Sequence, residues 1–129
     1  MTKATTEIKS LSMFDTVSGS NIGAEIELQT ASGDASGVYV SLLGPDSDAS
    51  RKAERKVRER HQELLRKRKS IDLEADAIEI LASCITGWRN MPEYGTFSFE
   101  AAKELLTKYP AIRRQLEQEQ ADIRNFIKG

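Results

Sequence analysis

Ala24-Glu25-Ile26-Glu27-Leu28-Gln29 alternates apolar and polar residues with a period of two, the pattern of a strand that buries one face. The polar run at 30–37, with glycines at 33 and 37, is turn chemistry. Val38-Tyr39-Val40-Ser41-Leu42-Leu43 then resumes an extended pattern, so residues 24–43 predict a β-hairpin. Two strands alone are marginal in water, so the hairpin must pack on other elements or pair with another chain.

Beyond Gly44-Pro45 the period changes. Asp46 or Ser47 offers an N-cap, and nothing up to Arg68 breaks a helix, which predicts a first helix over about 47–69. Its apolar stripe (Ala53, Val57, Leu64, Leu65) is narrow, so it must lie on a surface or bridge to a partner. Asp72 caps a second helix, expected over about 72–90, because Leu73, Ala77, Ile80, Leu81, Cys84, Ile85 and Trp88 recur at helical spacing. Pro92 and Gly95 mark a loop. Ser98 caps a third helix to about Tyr109, with Phe99, Ala102, Leu106 and Tyr109 on one side. Pro110 suits the first turn of a fourth, over about 110–127. The expected class is α+β, predominantly α, in one domain over 22–129. Residues 1–21, rich in Thr and Ser with scattered Ile8, Leu11, Met13, Phe14 and Val17, read as an arm that is flexible or docked by a partner.

Composition narrows the class. A chain of 129 residues buries enough surface for one core, and 30% charged with 39% hydrophobic residues is ordinary for a globular domain. No apolar run is long enough to span a bilayer, and the first residues lack a signal-type apolar segment. A single cysteine, Cys84, points to a reducing cytosol. The net charge of −1 conceals a segregation. Residues 51–69 hold ten Lys/Arg against three Glu, a charge of +7, while the remaining nine basic and seventeen acidic residues carry −8. Such asymmetry suggests attraction between copies or to a charged partner.

Candidate chemistry is sparse. A metal site needs several thiolate or imidazole ligands, and the chain has one His and one Cys. His61 on an arginine-rich helix reads as solvated, and Cys84 falls on an apolar face where cysteine is a small hydrophobe. Ser18-Gly19-Ser20-Asn21-Ile22-Gly23 precedes a strand, the wrong order for a phosphate cradle. Glu25 with Glu27, and Asp72 with Asp76, read as a solvated face and a helix start. No catalytic, cofactor or metal residue is expected, and the chain reads as a binding protein.

Two features carry the binding expectation. The basic helix can neutralise phosphates, so a small nucleic-acid-binding regulator using 51–69 is the alternative reading. Against it, Glu54, Glu59 and Glu63 interrupt the run, no aromatics interleave, and the i,i+4 pairs Glu54–Arg58, Arg55–Glu59 and Glu63–Lys67 support a solvated helix. Six of the eight aromatics follow residue 87. They close a core, or they present Trp88 and Tyr94 beside Arg89, all hot-spot residue types. The candidate protein-binding residues are Arg58, Leu65, Arg66, Trp88, Arg89, Tyr94 and Phe126.

A longer pattern links these residues. Ile85-Thr86-Gly87-Trp88-Arg89-Asn90, the segment Phe97–Leu106, Tyr109-Pro110-Ala111-Ile112-Arg113 and Ala121–Ile127 follow Leu42-Leu43-Gly44-Pro45-Asp46-Ser47 and a charged helix. This order resembles the tail assembly chaperones of lambda-like long-tailed bacteriophages. The block covers about a third of the chain, and the N-terminal arm adds nothing to it. The resemblance implies a protein that binds the long helical tape measure protein, keeps it soluble, and helps tail-tube subunits assemble around it. It also implies action in the host cytoplasm, absence from the finished virion, self-association into a homo-oligomer, and a longer form made by frameshifting. An ending at Asn125-Phe126-Ile127-Lys128-Gly129 is compatible with the short form.

Overall fold

A computed structural model describes residue 7 and residues 10–127. The elements are a 3-10 turn Leu11–Phe14, α1 Val17–Ile22, β1 Ala24–Gln29, β2 Ala35–Leu42, α2 Asp48–Arg66, α3 Leu73–Ser83, β3 Ile85–Arg89, α4 Phe99–Lys108, α5 Pro110–Ala121 and a 3-10 turn Ile123–Phe126. The fold is α+β, with the expected N-terminal hairpin ahead of the main helices. Residues 1–6, 8, 9, 128 and 129, which include Ile8 of the expected arm, lie outside the described set.

The sheet has three antiparallel strands in the order β1-β2-β3. Alternation divides its faces, since successive side chains point to opposite sides. Ile26, Leu28, Val40 and Leu42 point inward, and the core continues through Ile78, Leu81, Ala102, Leu106 and Leu116 of the covering helices. The open edge of β1 is closed at one point by a side chain. The Gln115 amide of α5 donates to the Gln29 carbonyl at 2.9 Å and accepts from the Gln29 N–H at 2.8 Å, as a neighbouring strand would.

Local chemistry sets the helix starts. Ser47, Asp72 and Ser98 each accept a hydrogen bond from the backbone N–H three residues on, satisfying donors that a helix leaves free. Pro110 opens α5 as expected. The end of α2 is less comfortable. The Lys69 N–H returns to the Leu64 carbonyl at 2.8 Å, and Arg68 takes φ 56°, the left-handed position that glycine fills in such helix ends. Arg68→Gly is therefore expected to raise the unfolding free energy by about 0.5–1 kcal/mol. Urea denaturation measures this, and a loss of stability would mean that the left-handed end is not adopted.

Three expectations are corrected. The second helix does not run to residue 90: α3 stops at Ser83, and Ile85–Arg89 turns into β3 beside β2. Helical spacing continued by chance through residues whose β-branched and aromatic side chains also suit a strand, and the free edge of β2 settled the choice. The buried face of α3 is rotated as well. Leu73 is 71% exposed, while Ile78 and Ala82, absent from the expected stripe, are in the core. The fourth helix ends at Ala121, and Asp122 then caps the short 3-10 turn by accepting from the Arg124 N–H. Thirdly, His61 is not freely solvated but reaches the Asp76 carboxylate.

Part of the segment read as an arm packs on the domain. The Gly44 N–H donates to the Ser20 carbonyl at 2.9 Å, the Asp46 N–H to Ser20 Oγ at 3.3 Å, and the Asp48 N–H to Asn21 Oδ1 at 2.8 Å. The Thr16 hydroxyl donates to the Asp46 carboxylate. A Cβ on Gly19 would lie 1.5 Å from the Phe126 carbonyl oxygen, and one on Gly44 would lie 2.8 Å from the Phe126 ring. Both glycines are there because backbone and ring approach too closely for any side chain. α1, the start of α2 and the last turn thus meet at one junction.

Candidate protein-binding surfaces

The strongest charge feature is a ridge on α2. Positions 51, 55, 58, 62 and 66 share one face at 3.6 residues per turn, opposite the buried Ala53 and Val57. Arg51, Arg55, Arg58 and Arg66 therefore project into solvent over about 22 Å. Arg51 meets Asp48 at 2.8 Å and Arg66 meets Glu63 at 3.2 Å. No ion pair holds Arg55 or Arg58 among the described residues. Of the three expected i,i+4 pairs, Glu63–Lys67 forms at 3.5 Å.

On its inner side α2 is tied to α3 by a polar cluster. Arg60 donates to Asp76 at 2.6 Å and to both oxygens of Glu79 at 3.2–3.3 Å, and His61 shares the Asp76 carboxylate. Burial raises the Asp76 pKa, but hydrogen bonds from His61 and Arg60 outweigh it and hold the carboxyl below its ordinary value. Cys84, at the C-cap of α3, is fully buried, and that burial pushes its thiol pKa up, which suits a packing residue rather than a nucleophile.

The expected residues of the aromatic region have separated. Phe126 is 1% exposed and is a core residue; its place at the glycine junction leaves it no surface to offer a partner. Arg89 lies on the outer face of the sheet. It donates to both oxygens of Glu25 at 2.7 and 3.0 Å, and its guanidinium stacks 3.8 Å above the Tyr39 ring. That hydrogen bond holds the Glu25 carboxyl below its ordinary value. Arg89 is thus spent on cross-strand contacts.

Trp88 and Tyr94 come together. The Trp88 indole packs edge-on against Phe97 at 5.1 Å and against Tyr94 at 6.2 Å, and its N–H donates to the Gly95 carbonyl at 2.8 Å. Trp88 therefore organises the loop from the sheet side, and Tyr94 is carried outward. There it lines an apolar cleft of about 260 Å³ with Leu28, Val38, Met91, Leu105, Tyr109 and Ile112. Glu93 lies on the rim, and Glu104 is close by. Desolvation raises the Tyr94 phenol pKa, and the Glu104 charge pushes it the same way.

Met91 and Ile112 were not singled out by the sequence. The signal for them is the pairing of a Pro/Gly loop with the Tyr109-Pro110 restart, which places a loop and a helix start over one end of the sheet. Leu65, by contrast, is exposed as a candidate should be, at 62%. Other exposed apolar residues are Leu11, Met13 and Phe14 in the first 3-10 turn. No helix among the described residues is long and apolar enough to cross a membrane. Comparison with protein-family models, with curated proteins and with solved structures returned no match for this chain.

Proposed function

We propose that this protein is a non-catalytic phage tail assembly chaperone that binds the tape measure protein in the host cytoplasm, keeps it soluble, and is left behind when the tail tube closes. The observation that carries the reading is the coincidence of two features in one block. Leu105, Tyr109 and Ile112, from the segments whose order resembles the chaperone family, line the cleft together with Met91 and Tyr94 of the loop between those segments and Leu28 and Val38 of the sheet. An open apolar cleft with a polar rim suits an amphipathic helix laid into a groove, the form a long helical client presents.

The test is co-expression with the long helical reading frame that accompanies a tail-tube gene. The chaperone is expected to raise the soluble yield of that client and to co-purify with it. Tyr94→Ala with Met91→Ala is expected to weaken capture by about tenfold or more, with circular dichroism confirming that the variant is folded at the assay temperature. Equal capture by this variant, or a client that stays soluble alone, would sink the reading.

A second reading has its own observation, the unpaired arginines of the α2 ridge. A nucleic-acid regulator using Arg55 and Arg58 would hold duplex DNA at low salt and release it steeply as salt rises. Absence of retention at low salt removes that reading.

A further inference from the structure

We propose that the cleft is filled, before any client arrives, by the α2–α3 connection of a second copy of this chain. The inference rests on the cleft being a docking surface and names its occupant. The connection runs from Leu65 to Leu73, which are 62% and 71% exposed, the two most exposed large apolar residues between β1 and α4. Between them lies Arg66-Lys67-Arg68-Lys69. Arg66 and Lys67 share Glu63, whereas no ion pair holds Arg68 or Lys69 among the described residues.

The cleft is the complement in both shape and charge. Its floor is apolar, and at about 260 Å³ it exceeds the roughly 150 Å³ that a benzene-sized group needs, so it takes one or two leucine side chains. Its rim carries Glu93, with Glu104 next to Tyr94, and no ion pair holds either carboxylate among the described residues. Lys108 also stands near Glu93 and Tyr94, so the rim is not purely acidic. Leucines flanked by cations match an apolar floor whose rim carries two carboxylates against one lysine. Seating buries Leu65 and Leu73, which the fold otherwise leaves in water.

The consequence is competition. A second copy and the client claim one cleft, so the free chaperone caps itself, and client binding opens the cap.

The experiment is sedimentation velocity on the full chain at about 100 μM, where micromolar contacts are populated, at low and high salt. The wild-type chain is expected to sediment as an associated species that salt weakens. Leu65→Asp with Leu73→Asp, and separately Glu93→Lys with Glu104→Lys, are each expected to weaken association at least about tenfold. All four side chains are exposed, so circular dichroism should show an unchanged fold. Mixing Arg68→Glu/Lys69→Glu with Glu93→Lys/Glu104→Lys is expected to restore association through the reversed charges. A wild-type chain that stays monomeric, or an associated mass that neither pair of substitutions changes, overturns the proposal. The Leu65→Asp/Leu73→Asp variant also separates the two readings. If the wild type proves monomeric and this variant still solubilises the client, self-capping fails and the chaperone role stands.

Discussion

Phe126→Ala is expected to lower the unfolding free energy by about 3–5 kcal/mol, the usual cost of deleting a fully buried phenylalanine. The expected loss sits at the upper end because the surroundings cannot collapse into the space. Gly44 approaches the ring, so part of the cavity wall is backbone, while the Gly19 contact is with the Phe126 carbonyl, which alanine keeps. Side chains relax around a cavity more easily than a strand end and a helix start do. The α1 segment should loosen with it, since Ser20 is seated between Gly44 and the last turn. Urea denaturation measures the loss, and hydrogen exchange at the amides of Gly44 and Asp46 locates it. A change below about 1 kcal/mol would mean that Phe126 does not hold this junction. A stability phenotype here also explains how Phe126 variants could look defective in client binding without touching a client.

Asp76→Asn is expected to destabilise by about 1.5–3 kcal/mol, because one carboxylate serves both Arg60 and His61 at the α2–α3 contact. The figure stays below that of a fully buried pair, since Arg60 remains partly solvated and keeps Glu79. The substitution also has a pH signature. The Asp76 carboxyl is held below its ordinary value when folded, so below about pH 4 the unfolded chain binds more protons at this site. Stability from Asp76 is thus present in full above that range and falls as pH drops through the folded pKa. The variant should lack this part of the acid slope. Stability measured from pH 7 down to pH 2.5 decides the matter, and parallel acid curves for wild type and Asp76→Asn would refute the assignment. The lowered carboxyls of Glu25, which is exposed, and Asp122, which is half-buried in a solvated pair with Arg124, should contribute little to that slope.

What could be read from the sequence was local. Period-two alternation at 24–29 placed β1, and Ser47, Asp72 and Ser98 each became the cap that their side chains and positions announced. The basic face of α2 was equally plain, because a helix with Ala53 and Val57 on one side must turn its arginines outward. The misses were all decided at a distance. Ile85–Arg89 carries apolar spacing that fits helix and strand alike, and only the free edge of β2 separates the two. Phe126 looks like a terminal aromatic until Gly19 and Gly44 are seen to close around it. Among the candidate binding residues, Arg58, Leu65 and Arg66 are exposed as expected, Trp88 supports Tyr94, and Arg89 is occupied by Glu25 and Tyr39. The cleft could not be read in advance, since β1, β2, the 91–94 loop, α4 and α5 contribute to it jointly.

The meeting of α1 with the last turn also sets a timetable for synthesis. The partner that closes over Gly19 in Val17–Ile22 is Phe126, made about a hundred residues later. At about 5–20 residues per second, the early segment waits roughly 5–20 s for it. Throughout that interval the backbone of Gly19 and Ser20 has no Phe126 beside it, and Leu11, Met13 and Phe14 remain available to other chains. The native junction therefore forms only after Phe126 emerges, and nascent chains side by side on one message have those seconds in which to find each other first.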